Sequence, residues 1–413
     1  QLMSPFTLPC RIAAILSISL SLLFSGRALA QDLAGPRIIE LATPEYTFGG
    51  PAAFRLTASA AAEIADVTLY LRTPDEPRTF VGKARFARGT RVEAEYVLQP
   101  ERRALPPFAP VTFWWEVTDS AGRTVATDRQ TFTYADNRFE WQTLTEAGLT
   151  AAWYAGDRAF GRAILDVAQE GLARAQRDIG AAPPEAVTVY VYARPEDAAE
   201  ALRPAGRTWA DGHAAPLFGA VVVILSPGEV DTPTRMAREV PHELAHILVA
   251  QKAGDRWPAV PTWLNEGLAV TNEGTPDPET PALLAAAREA DDFLPLADLC
   301  GPFPADPVRA RLAYAQSESV VRFIRDRYGA LSLSRLLDAY ADGLDCDSGV
   351  RRGLGLSLAE LEQAWLEQRV NVNAALPPGR MTPWLILGGL VLLVPILLLT
   401  ALLSAPRPTA RVL

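Results

Sequence analysis

The apolar residues of this chain change period once along its length, and that change sets the folds open to it. Before residue 135 they alternate with polar ones in short runs at 53–58, 67–72 (VTLYLR), 79–86, 91–98, 111–118 (VTFWWEVT) and 130–134. Turn residues such as Asp119-Ser120-Ala121-Gly122 separate the runs. Aromatic and β-branched residues at period two predict an all-β, Ig-like sandwich of about 100 residues over 33–136. Trp114 and Trp115 then send one ring inward and one outward. From 157 to 179 (DRAFGRAILDVAQEGLARAQRDI) the spacing becomes helical, with a charged opposite face. Apolar strands at 186–192 and 218–225 follow, then helices at about 234–252, 262–273, 280–290, 308–328, 331–342 and 357–371. One or two strands ahead of a helical body predict an α+β domain over 137–373, with the boundary at Asp136-Asn137.

Both ends of the chain read as membrane-directed. Arg11 precedes an apolar run at 12–24 that ends near Ala28-Leu29-Ala30, a small-x-small cleavage pattern. Residues 1–30 are therefore expected to be a signal peptide, an uncleaved anchor being the alternative. Residues 384–404 carry no charge and are long enough to cross a bilayer, behind a linker at 374–383. Arg407 and Arg411 make 405–413 a short basic tail, which the positive-inside rule keeps in the cytoplasm. The expectation is a single-pass cell-membrane protein, N-out and C-in, with its domains extracytoplasmic and the membrane held by the C-terminal helix. Once Cys10 leaves with the leader, Cys300 and Cys346 remain, and an oxidising compartment permits them to pair.

The 413 residues are 49% hydrophobic and 21% charged, which is the balance of a chain with a packed core. A formal net charge of -9 argues against a nucleic-acid partner, because phosphate binding needs a basic face. Histidine occurs three times, and two of the three stand in His242-Glu243-Leu244-Ala245-His246. On a helix, positions i and i+4 share a face, so both imidazoles can meet one ion, while Glu243 sits beside it to take a proton from water. A hydrolytic zinc needs three protein ligands and one open position. Glu266, in Trp263-Leu264-Asn265-Glu266-Gly267-Leu268-Ala269, supplies the third after room for a turn and a second helix. Pro241 directly precedes the first ligand, so either the helix begins there or a longer helix kinks there.

HELAH followed by WLNEGLA resembles the gluzincin peptidases, and within them the M1-like "peptidase MA" group, whose pattern is HExxH, a gap and NE-G. The resemblance covers roughly residues 140–370. It implies a thermolysin-like gluzincin domain, Zn2+ as cofactor and a peptide or protein as substrate. It further implies metal ligation by His242, His246 and Glu266, with Glu243 as general base. The run Tyr314-Ala315-Gln316-Ser317-Glu318-Ser319-Val320-Val321 is similar to the family helix whose leading tyrosine donates to the tetrahedral oxyanion, which makes Tyr314 the candidate for that role. Two departures stand out: the gap to Glu266 is one residue longer than in M1 aminopeptidases, and the Gly-x-Met-Glu-Asn run that captures a free amino terminus is absent. Phe218-Gly219-Ala220-Val221-Val222 occupies the comparable strand, where edge pairing could bind an extended peptide. Glu273 or Asn265 could orient a ligand, and His213 could line the cleft. The expected activity is hydrolysis by a membrane-anchored zinc metallopeptidase; the competing reading is a catalytically silent surface scaffold that binds through its sandwich.

Overall fold

A computed structural model describes residues 35–203 and 212–371. The expected leader at 1–30, the linker, the apolar run at 384–404 and the basic tail lie outside these residues. No helix among the described residues is long and apolar enough to cross a membrane.

Nine strands build the first domain: β1 (Arg37–Leu41), β2 (Glu45–Tyr46), β3 (Ala52–Ser59), β4 (Ile64–Thr73), β5 (Glu76–Lys83), β6 (Arg91–Leu98), β7 (Pro110–Asp119), β8 (Thr124–Ala126) and β9 (Gln130–Thr133). One antiparallel sheet runs β1-β3-β2, with β6 also on β3; the other runs β5-β4-β7-β8, with β9 also on β7. In β7 the alternation is complete, so Val111, Phe113, Trp115 and Val117 enter the core while the residues between them face outward. Phe54 of one sheet meets Phe113 of the other edge-on at 5.3 Å. Trp114, on the outer face, stacks on its cross-strand partner Tyr70. Strands β1, β2 and β8 were not expected. They are edge strands of five, two and three residues, too short or too exposed to show alternation.

The second domain begins with a hairpin, β10 (Gln142–Glu146) and β11 (Leu149–Trp153). It continues through α1 (Arg158–Ile179), β12 (Val187–Tyr192), α2 (Pro195–Leu202), β13 (Gly212–Ala215) and β14 (Ala220–Ile224). Helices α3 (Thr232–Ala253), α4 (Thr262–Asn272), α5 (Thr280–Glu289), α6 (Pro307–Tyr328), α7 (Leu331–Ala341), α8 (Cys346–Leu354) and α9 (Leu358–Asn371) complete it. Local signals fix several ends. Asp157 caps α1 by accepting from Phe160 N–H, and Gly180 closes it in the left-handed conformation; Asp306 caps α6 through Arg309 N–H.

The expectation of one or two strands needs correction. The sheet has five, ordered β10-β11-β12-β14-β13, parallel in its middle and antiparallel at both edges. Of the three interior strands, β12 and β14 were legible as apolar, β-branched runs, whereas β11 (Leu-Thr-Ala-Ala-Trp) was not. The edges were not: β13 reads Gly-His-Ala-Ala, which has no strand preference. The expected strand at 218–225 is also divided, into a 3-10 turn at Pro216–Phe218 and the interior strand β14. Peptide pairing at a sheet edge therefore cannot use it; the edge is β13.

The change of period at 136–137 is no slack linker. Asp136 is fully buried and accepts from Tyr192 Oη at 2.8 Å and Arg138 Nη2 at 2.6 Å, and Trp141 Nε1 donates to its carbonyl at 2.7 Å. Phe108 stacks on Tyr190, and the sandwich core continues into Tyr192, Val222, Ile224 and α2. The other face of the five-stranded sheet supports α1 and α3, and with them the helical body. Cys300 and Cys346 form a disulfide that ties the segment before α6 to the first turn of α8.

Candidate metal centre

Helix α3 carries Pro241 in its interior, so the kinked long helix is the arrangement found. Proline has no N–H, which deprives the carbonyl of Ala237 of its helical donor. Gly274 replaces that donor, its N–H lying 2.7 Å from Ala237 O. One turn on, Asn272 Nδ2 donates to Pro241 O at 2.6 Å, while Arg174 Nη2 holds Asn272 O at 3.1 Å. The end of α4 is thereby clasped to the kink on either side of Glu273. That residue places Oε1 3.1 Å from His242 Nδ1.

His246 lies one helical turn beyond His242, and its Nδ1 is 3.1 Å from Asn265 Oδ1. The sequence could not choose between Glu273 and Asn265; the structure uses both, one for each histidine. A Nδ1–H donated outward leaves the Nε2 lone pair free to face inward. The two Nε2 atoms lie 3.5 and 3.6 Å from the same Oε2 of Glu266. The rings are 5.0 Å apart and nearly perpendicular, and all three ligand atoms fall within 4.8 Å of one another. Two imidazole nitrogens and one carboxylate oxygen converging from one side match the donor set of a hydrolytic zinc, with a position left for water.

The electrostatics favour a cation at the same point. Burial alone would lower the pKa of His242, but its hydrogen bonds to Glu266 and Glu273 and the charge of Glu243 push it up to about 10. Burial would raise Glu266, yet the two neighbouring histidines hold it below the usual carboxylate range. The pocket keeps its carboxylate ionised and stabilises positive charge beside it.

Glu266 depends on how closely α4 approaches α6. A Cβ at Gly267 would stand 2.6 Å from Ser317 O, so only glycine lets the two helices meet there. Helix α6 in turn presents Tyr314, which is 39% exposed, packs edge-on against Phe303 at 5.0 Å and lines the same cleft as His242. Burial, reinforced by the charges of Glu266 and Glu243, raises its phenol pKa, so the hydroxyl stays protonated and able to donate. Opposite these helices, Gly212 of β13 comes so close to Glu243 that an added Cβ would lie 2.5 Å from Oε1. The sheet edge thus reaches the carboxylate by its backbone. His213 follows at the register position of Val222 and is not one of the three clustered ligands. Sequence reasoning missed Gly212, Asn272 and Gly274; the one available signal was a proline inside a helix that had to continue.

The family model described as Peptidase MA superfamily matches residues 167–371. No curated protein matches. Among solved structures, a mutant of a two-domain M1 zinc metallopeptidase bound to L-arginine is 16% identical, with a TM-score of 0.35, over 81% of this chain and 95% of that one. An M1 zinc metallopeptidase from Deinococcus radiodurans is 16% identical, with a TM-score of 0.33, over 84% of this chain and 96% of its own. A mutant of the Deinococcus radiodurans protein bound to a Tyr-Ser-Ala substrate is also 16% identical, with a TM-score of 0.33, over 79% of this chain and 91% of its own.

Proposed function

From the premise that this chain carries a Peptidase MA superfamily domain at residues 167–371 and is a zinc-dependent peptidase, we propose that His242, His246 and Glu266 hold the zinc and that Glu243 is the general base. The observation that carries this reading is the convergence of both Nε2 atoms on one Glu266 oxygen while both Nδ1 atoms are held from behind. When bound, zinc supplies Lewis acidity and a water acidic enough to ionise near neutral pH.

The chain's own groups do the rest. An extended substrate pairs with the outer edge of β13, on which no described strand lies. That pairing brings a peptide carbonyl past Gly212 to Glu243. Glu243 takes a proton from the attacking water and later passes it to the leaving amine. Tyr314 donates its hydroxyl proton as a hydrogen bond to the tetrahedral oxyanion, which strengthens as charge develops there.

The same proposal places the enzyme at a cell membrane, single-pass, with its catalytic domain outside the cytoplasm. The apolar runs at 12–24 and 384–404 support this, as do Arg407 and Arg411. A disulfide within the catalytic domain suits an oxidising compartment. Strands β1 to β9 are read as an Ig-like sandwich, supported by two antiparallel sheets on one core.

The test is zinc content and turnover of the purified chain beside His246→Ala, Glu266→Ala and Glu243→Gln. One zinc per chain, lost in the first two variants and kept without hydrolysis in the third, is expected. Folded wild-type protein that takes up no zinc would return the chain to the scaffold reading.

A further inference from the structure

We propose that the groove between α3 and the turn joining β13 to β14 is a subsite for an apolar side chain of the extended peptide substrate, several residues from the bond that is cut. This rests on the peptidase reading above and specifies what that site accepts.

Glu243, Ile247 and Gln251 are spaced by four and lie on one stripe of α3, so the groove beside Ile247 and Gln251 continues the line of the general base. β13 follows the same line: Gly212 touches Glu243, and the chain then runs into Pro216–Phe218, which lines the groove. A peptide paired along the outer edge of β13 is carried from the scissile position toward this groove. Gly212 to Ala215 is extended and two further steps of 3-10 helix reach Leu217, roughly 14 Å of chain in all. The anchored side chain therefore belongs about four to six residues from the cleaved bond.

The lining suits an apolar occupant. Leu217 is 51% exposed, and Phe218 and Trp257 are half-buried around a space of about 540 Å³. Among the described residues no cation lines it, whereas Glu185 and Asp255 stand exposed at its side, so an acidic side chain is repelled. Leu217 is a large apolar residue left open at the end of a strand edge that leads from the catalytic carboxylate, which an incoming apolar side chain would cover.

The experiment uses the full chain as Glu243→Gln, loaded with zinc, and a panel of fluorescent dodecapeptides in which Leu or Asp is placed at each position in turn. Affinities are read by anisotropy, and cleavage sites are mapped with wild-type protein. The expected result is a preference for Leu over Asp of roughly ten-fold or more at one position four to six residues from the cut bond. Leu217→Asp, at an exposed position, should abolish that preference and leave those at other positions; Trp257→Ala should weaken it. Affinities indifferent to Leu or Asp at that distance, or a preference that survives both variants, would overturn the subsite. Positional binding without cleavage by the wild type would overturn the peptidase reading while upholding the groove.

Discussion

At the scale of single residues, what distinguishes a zinc site from three neighbouring polar side chains is what stands behind each ligand. Glu273 and Asn265 each hold a different imidazole through Nδ1, so neither ring must be turned when a metal arrives. Glu273→Ala is expected to weaken zinc binding by roughly ten- to a hundred-fold, measured by competition with a chromophoric chelator. An unchanged affinity would reduce Glu273 to a bystander. In the proposed mechanism Tyr314 acts on a different state of the reaction. Its hydroxyl is placed to meet charge that exists only as the carbonyl is attacked, so Tyr314→Phe should lower kcat by roughly a hundred-fold and leave KM nearly as it was. A change confined to KM would show that the tyrosine binds substrate and leaves the barrier alone. The shared face of His242 and His246 was legible because HExxH sets it by helical geometry alone. Asn265 and Glu273 were legible as candidates for orienting a ligand, but not which ring each holds, since Glu273 lies 31 residues beyond its partner.

Among elements, the kink in α3 deserves a physical account, because a proline one residue before a metal ligand is costly unless its orphaned carbonyl is used. Here Ala237 O accepts from Gly274 N–H, which draws the end of α4 onto α3 and sets Glu273 against His242. Pro241→Ala would restore an N–H at that point, let the helix straighten and return Ala237 O to the helical ladder. By helix preference alone the variant gains up to about 3 kcal/mol; the ring methylenes it gives up from a buried position cost about 0.8 kcal/mol each. The metal-free variant should therefore melt no lower than wild type in a calorimetric scan, while zinc binds about ten-fold more weakly. Parallel loss of both would mean that the proline serves packing only. Seven of the nine described helices were foreseen to within about two residues because each presents a long periodic run; α2 and α8, of eight and nine residues, were not, being too short to show a period. The short edge strands were not, because their hydrogen bonds are made with partners distant in sequence and their side chains follow no period.

For the whole molecule, the two domains behave as one body built on a shared sheet. The faces of β12 and β14 divide the work: Tyr192, Val222 and Ile224 join the sandwich core, while Val189, Val191 and Val223 join the helical core. The disulfide adds a constraint outside the ligand cluster, closing a loop with a sequence separation of 46. Replacing both Cys300 and Cys346 by Ser should lower the unfolding free energy by about 2–4 kcal/mol, read by denaturant titration, with zinc content unchanged. Loss of zinc from the folded double variant would tie the bridge to the site itself. The sequence by itself determined the parts that are local: the two periods and thus the order of a β domain and a helical one, and the helix that brings His242 and His246 onto one face; it offered Glu266 as the candidate third ligand. Only the tertiary structure decided which strand is the open edge, that Asn265 and Glu273 each hold a different ring, and that an interior proline serves to clasp α4. Those contacts join residues whose separation along the chain carries no period, so they exist only once the sheet and helices have packed.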